Sequence, residues 1–85
     1  MESSLKRRYR YIRFEQVGGV WYCVTNRGDD ILGRLSWHRN WHEWEIETAP
    51  GSVFSWECLR DMSNFLQQLN ERTEHVAGAA TDQLR

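Results

Sequence analysis

No stretch of this 85-residue chain approaches the roughly 20 consecutive apolar residues that cross a bilayer, and its first residues lack the apolar core of a signal peptide. A soluble, cytoplasmic protein is the expectation. Cysteine occurs only at Cys23 and Cys58, too few for a disulfide framework, and both are expected as reduced thiols. Also missing are a nucleophile elbow, a Gly-rich phosphate loop and a paired-carboxylate motif, so neither enzymatic activity nor a cofactor is expected. Proline appears once, at Pro50.

What is present fits one small globular domain. Hydrophobic residues make up 40% and charged residues 27%, a globular balance. A chain this short buries about 60 to 65% of its unfolded surface, which suffices for one core only. The net charge of −1 is unevenly placed: residues 1–13 carry Lys6, Arg7, Arg8, Arg10 and Arg13 against Glu2, for +4, and residues 14–85 carry six basic and eleven acidic residues, for −5. A basic arm of this kind attracts phosphates or pairs with acidic surface. Lys6, Arg7, Arg8 and Arg10 are therefore candidate nucleic-acid contacts.

The patterning predicts ββββα, an α+β fold with a four-stranded antiparallel β-meander and one C-terminal helix packed on one face. Tyr9–Val17 and Val20–Thr25 are strand-like and flank Gly18-Gly19, which suits a primed hairpin turn. Ile12 and Phe14 then share a face with Trp21 and Cys23, and Arg13, Glu15, Tyr22 and Val24 share the other. Asn26–Asp30 reads as a turn, including the R-G-D of Arg27–Asp29, whose glycine and aspartates are turn chemistry rather than an adhesion motif. In the next strand, Ile31 to Trp37, Ile31, Leu35 and Trp37 alternate with Leu32, Arg34 and Ser36. A turn follows at His38–Trp41, then an alternating strand over Glu43–Thr48 with Trp44 and Ile46 on one side and three glutamates, an ordinary solvated surface, on the other. Ser55 is the expected N-cap of a helix from about Trp56 to Leu69, with Leu59, Met62, Phe65, Leu66 and Leu69 on its apolar stripe. Residues 1–8 read as a flexible basic leader, 9–70 as the domain and 71–85 as a flexible tail. An uncovered sheet face carrying Val17, Tyr22, Val24 and Leu32 is a candidate homodimer interface.

The densest feature is Trp37–Trp44, W-H-R-N-W-H-E-W, with three of five tryptophans and two of three histidines. Trp37 and Trp44 suit a core beneath the helix, with Trp41 closing the turn. Alternatively Trp41, His38, Arg39 and His42 form a ligand-binding rim for a small anionic ligand such as a nucleotide, with Arg13 or Arg34 reaching across a dimer. Cys23, Cys58, His38, His42 and His75 are metal-ligand types, but without C-x2-C or paired spacing no metal site is expected.

From Val20 to Leu69, about 50 residues, the string resembles a family of short proteins encoded by tailed bacteriophages. The likeness rests on G-V-W, on W-x3-W-x2-W, and on P-G-x-V-F-x3-C-L-R-D-M-x2-F-L-x2-L-N, an aromatic-rich hairpin followed by a C-L-x-D helix. It implies a phage or prophage origin and an accessory role, including counteraction of bacterial defence by blocking a host protein or sequestering a nucleotide immune signal. The alternatives are a nucleic-acid-binding module using the basic arm and an assembly subunit that self-associates through its sheet.

Overall fold

The structure, a computed structural model, describes residues 5–76, with side chains through Arg72. Its elements are β1 (Ile12–Val17), β2 (Val20–Thr25), β3 (Ile31–His38), β4 (Glu43–Thr48) and α1 (Trp56–Val76). The strands form one antiparallel sheet in the order β1-β2-β3-β4, and α1 packs on one face, as the patterning predicts. Among the described residues no helix is long and apolar enough to cross a membrane.

The β1–β2 register follows from the two-residue turn. Val17 stands opposite Val20 and Phe14 opposite Cys23, and Gly18 takes a φ of +64°, a conformation that a side chain disfavours. The face toward α1 holds Ile12, Phe14, Trp21, Cys23 and Leu35, all buried with Met62, Phe65 and Leu69 of the helix. Phe65 stacks on Phe14 at 4.1 Å and meets Trp21 edge-on at 5.1 Å. These rings hold the helix off β1 and β2, and α1 approaches the sheet most closely along β4. Ser55 caps the helix, its Oγ accepting the Cys58 N–H at 3.2 Å.

Three expectations are corrected. First, Cys23 pairs with Gly33 but Val24 pairs with Ile31, so Leu32 is the extra residue of a β-bulge. One inserted residue exchanges the faces upstream of it. Ile31 therefore stands beside Val24 on the outer face and is exposed, whereas Leu32 packs against the core instead of facing outward. Second, the leader is not loose over residues 5–8. The Arg7 carbonyl accepts the Phe14 N–H at 2.8 Å, and Arg8 bridges to Arg13. The Gln68 carboxamide clasps the Lys6 backbone, accepting its N–H at 2.8 Å and donating to its carbonyl at 3.0 Å. Tyr9, expected in a strand, instead enters the core, and its hydroxyl donates to Asn64 at 2.7 Å. Third, the helix runs past Leu69 to Val76. Residues 1–4 of the expected leader and 77–85 of the expected tail lie outside the described residues.

Candidate functional site: the β3–β4 tip

β3 ends at His38 and β4 begins at Glu43, two residues that face each other in the ladder. The four residues between them close the hairpin through two contacts to His38. Its carbonyl accepts the His42 N–H at 2.8 Å, and its Nδ1 accepts the Trp41 N–H at 3.1 Å. His42 takes the left-handed conformation with a φ of +55°, which histidine adopts more readily than most side chains. An accepting Nδ1 leaves Nε2 as the N–H of the neutral imidazole.

Aromatic rings lie on both sides of this turn because side chains alternate along the strands that enter it. On one side Trp41 lies flat on His38, centroids 4.2 Å apart and planes 16° from parallel. On the other, Trp37 stands 6.5 Å from His42 and meets Trp44 edge-on at 6.2 Å. The rings differ sharply in burial. Trp44 is half-buried against the core, whereas Trp37 is 40% and Trp41 65% exposed. Trp37 is therefore not the core residue that the first of the two sequence alternatives made it. Arg39 is exposed beside them. The tip is tied to the helix, since the Trp44 backbone N–H donates to Asn70 Oδ1 at 2.6 Å.

Of the six candidate ligand-binding residues, His38, Arg39, Trp41 and His42 all lie at this tip, with the His38–Trp41 stack on one side of the turn and His42 on the other. Arg34 and Arg13 do not. Arg34 pairs with Glu47 at 3.2 Å across the β3–β4 ladder. Arg13 donates to Glu15 at 2.7 Å, Asp29 at 2.6 Å and the Thr25 carbonyl at 2.8 Å. The hydrogen bonds to the two carboxylates, Glu15 foremost and then Asp29, raise its pKa above the usual arginine value. Arg13 is level with Val24 and Ile31, and Ile31 is seven residues from His38 along β3, roughly 20 Å. Within one chain, Arg13 is a clamp between β1 and the β2–β3 turn.

The four candidate dimer residues are dispersed in character. Val17 is exposed and Tyr22 half-buried, Val24 is already buried within the chain, and Leu32 has turned inward. Charged Arg13, Glu15, Arg34 and Glu47 interrupt this face, joined in two ion pairs, Arg13–Glu15 and Arg34–Glu47.

The basic arm is laid along the β1 edge. Lys6 Nζ stands 4.8 Å from the Tyr9 ring centre, Arg7 lies over Trp21 at 5.9 Å and Arg10 over Tyr11 at 5.0 Å. Arg8 donates to Asn26 at 3.1 Å, and Arg10 stands 3.9 Å from Glu57. Arg7, Arg8 and Arg13 border an open groove of about 580 Å³ beside β1, and Arg10, Tyr11, Asn26 and Arg27 border another of about 550 Å³.

Among the described residues no group of three or more His, Cys, Asp or Glu stands close enough to hold a metal ion; the side chain of His75 lies outside them. Cys23 is fully buried, and burial, then the neighbouring Cys58, pushes its thiol up to about 12, the opposite of an activated nucleophile.

Two surface features are absent from the sequence reading. Trp56 is 68% exposed with Arg60 over its ring at 4.9 Å, a pairing that the i, i+4 spacing does encode. Leu59, placed on the buried stripe by periodicity, is 54% exposed and borders a groove between β4 and α1. Set beside known proteins, the chain matches no family model, no curated protein and no solved structure.

Proposed function

We propose that this chain is a non-enzymatic binding protein whose β3–β4 tip docks on a protein partner, with Trp41 and Trp37 as aromatic anchors and Arg39 as the charged contact. The observation that carries the proposal is a 65% exposed Trp41 indole held flat on His38 by its own backbone hydrogen bond. An indole left in water forgoes its burial energy, and one already held in place has little freedom to lose on binding. Tryptophan and arginine are the side chains most often responsible for interface affinity. A small nucleotide is favoured less, because such ligands are held where most of their surface is enclosed, and the grooves bordered by Arg7, Arg10 and Leu59 do not include Trp41. In the setting that the phage resemblance implies, the partner is a bacterial host protein of a defence system.

Co-purification from a bacterial host, read by native mass spectrometry, tests this proposal. A protein retained by the wild type and lost from both Trp41→Ala and Arg39→Ala supports it. Retention by both variants, or a retained mass in the nucleotide range alone, contradicts it.

A second reading has its own observation. Arg10 lies over Tyr11, and Asn26 and Arg27 border the same groove, an aromatic platform among cations of the kind that tracks single-stranded nucleic acid. Affinity for an oligonucleotide would then fall steeply with salt and weaken in Arg7→Gln, Arg8→Gln and Arg10→Gln. Salt-independent binding, or none, removes this reading.

A further inference from the structure

β4 is an edge of the sheet, and its backbone is open where the helix stands beside it. The Ala49 N–H donates to the Leu32 carbonyl at 2.8 Å, so with the register Gly33–Thr48, Arg34–Glu47 and Leu35–Ile46, the odd-numbered residues of β4 bond inward to β3. Trp44, Ile46 and Thr48 consequently turn their N–H and C=O groups away from the sheet. Asn70 takes the first of these N–H groups at Trp44, which ends the open stretch at the tip and leaves Ile46 and Thr48 as the available rungs.

Alongside those rungs runs a groove of about 560 Å³. Its strand side presents Trp44 and Ile46, and its helix side presents Leu59, Met62, Leu66 and Asn70, spaced three or four apart along one helical face. Apolar side chains run along both walls, with Glu43 and Thr48 at the two ends of the strand side and Ser63 and Gln67 adding polar groups on the helix side, and the Trp44–Asn70 bond bounds one end. A strand entering it would place alternate side chains between Ile46 and the helix, and the intervening ones on the opposite face of the sheet.

Glu43, Glu45 and Glu47 lie on that opposite face, in a row along the same edge. Only Glu47 has a basic partner among the described residues, an exposed arginine. Two copies of this chain pairing β4 to β4 would set these rows against each other, and like charges directly opposite destabilise a ladder. The edge is biased against itself and toward a strand with cations at alternate positions.

We infer that the β4 edge and the β4–α1 groove form a second binding site, which takes an extended segment of a partner protein by strand addition, with apolar residues in the groove alternating with lysine or arginine opposite Glu45 and Glu47. Strand addition draws affinity from the backbone and selectivity from alternate side chains. The inference is independent of the proposed role of the tip.

Titration of the full chain with the peptide acetyl-Lys-Ile-Lys-Val-Lys-amide, followed by backbone amide NMR, provides the test. The expected result is saturable shifts at the Ile46 and Thr48 amides, with affinity about tenfold weaker for the peptide carrying glutamate in place of lysine, given two cross-strand charge pairs. N-methylation of the peptide amides that face β4 should abolish binding without altering the protein. Glu45→Lys, a substitution at the sheet surface that leaves one attractive and one repulsive pair with either peptide, should remove the preference between the two peptides, and Glu45→Lys with Glu47→Lys should reverse it. Absence of saturation into the millimolar range, equal affinity for the lysine, glutamate and N-methylated peptides, or shifts confined to the Lys6–Arg10 segment would overturn the proposal.

Discussion

The indole of Trp41 rests on the imidazole of His38 at 4.2 Å, and most of it still faces water. The pair orders the tip without supporting the core. Trp41→Ala should therefore cost no more than about 1 kcal/mol in urea denaturation, within the range of a surface stacking contact. Phe65→Ala, which removes a ring packed on both Phe14 and Trp21, should cost about 3 to 5 kcal/mol.

Gly33 lies where β3 passes close to β4. A Cβ there would stand 3.0 Å from the Glu47 carbonyl oxygen and 3.2 Å from Ile46 Cδ1, and the first of these belongs to the backbone and has little room to yield. Gly33→Ala should destabilise by about 1 to 3 kcal/mol, the usual range for overpacking, with amide shifts concentrated in β3 and β4.

Gln68 is the latch of the N-terminal segment. Its carboxamide bonds the Lys6 N–H, the Lys6 carbonyl and the Tyr9 hydroxyl. Gln68→Ala should release that segment, so that trypsin cleaves after Lys6, Arg7 and Arg8 several-fold faster. The global loss should be smaller, about 1 to 2 kcal/mol, because Tyr9 keeps its bond to Asn64 and its place in the core.

Alkaline pH should unfold the chain. Burial raises the thiol of Cys23 to about 12, and burial also raises the phenol of Tyr9. A group whose folded pKa lies above its unfolded value contributes its full stability below the unfolded pKa and loses it as pH rises through the folded one. Stability should hold to about pH 8.5 and fall steadily from there toward 12, measured by urea titration at each pH. Cys23→Ala should flatten part of that decline, and Cys23 should stay unreactive toward a disulfide reagent until the protein unfolds.

Short-range chemistry made the fold legible. Gly18-Gly19 fixes the first hairpin, Ser55 starts the helix and the alternation of Glu43–Thr48 makes a strand. Long-range geometry was not legible in the same way. The bulge at Leu32 leaves the composition of its strand unchanged yet reverses which of Ile31 and Leu32 is inside. The docking of Lys6 depends on Gln68, 62 residues away, so a short basic arm reads as loose. At the tip, spacing identified His38, Arg39, Trp41 and His42 as neighbours. It left the Trp37–Trp44 cluster open between core and binding site, because hydrophobicity alone does not say how far the helix reaches over the sheet.

The most direct test of the tip as the binding surface is the affinity of the co-purified protein for wild type and for Trp41→Ala, measured by calorimetry alongside the melting temperature of each. The expected result is a loss of about 2 to 4 kcal/mol, the scale of an aromatic interface anchor, with the melting temperature nearly unchanged. Equal affinity would contradict the account, and so would a fall in stability matching that of Phe65→Ala, which would make Trp41 a structural residue.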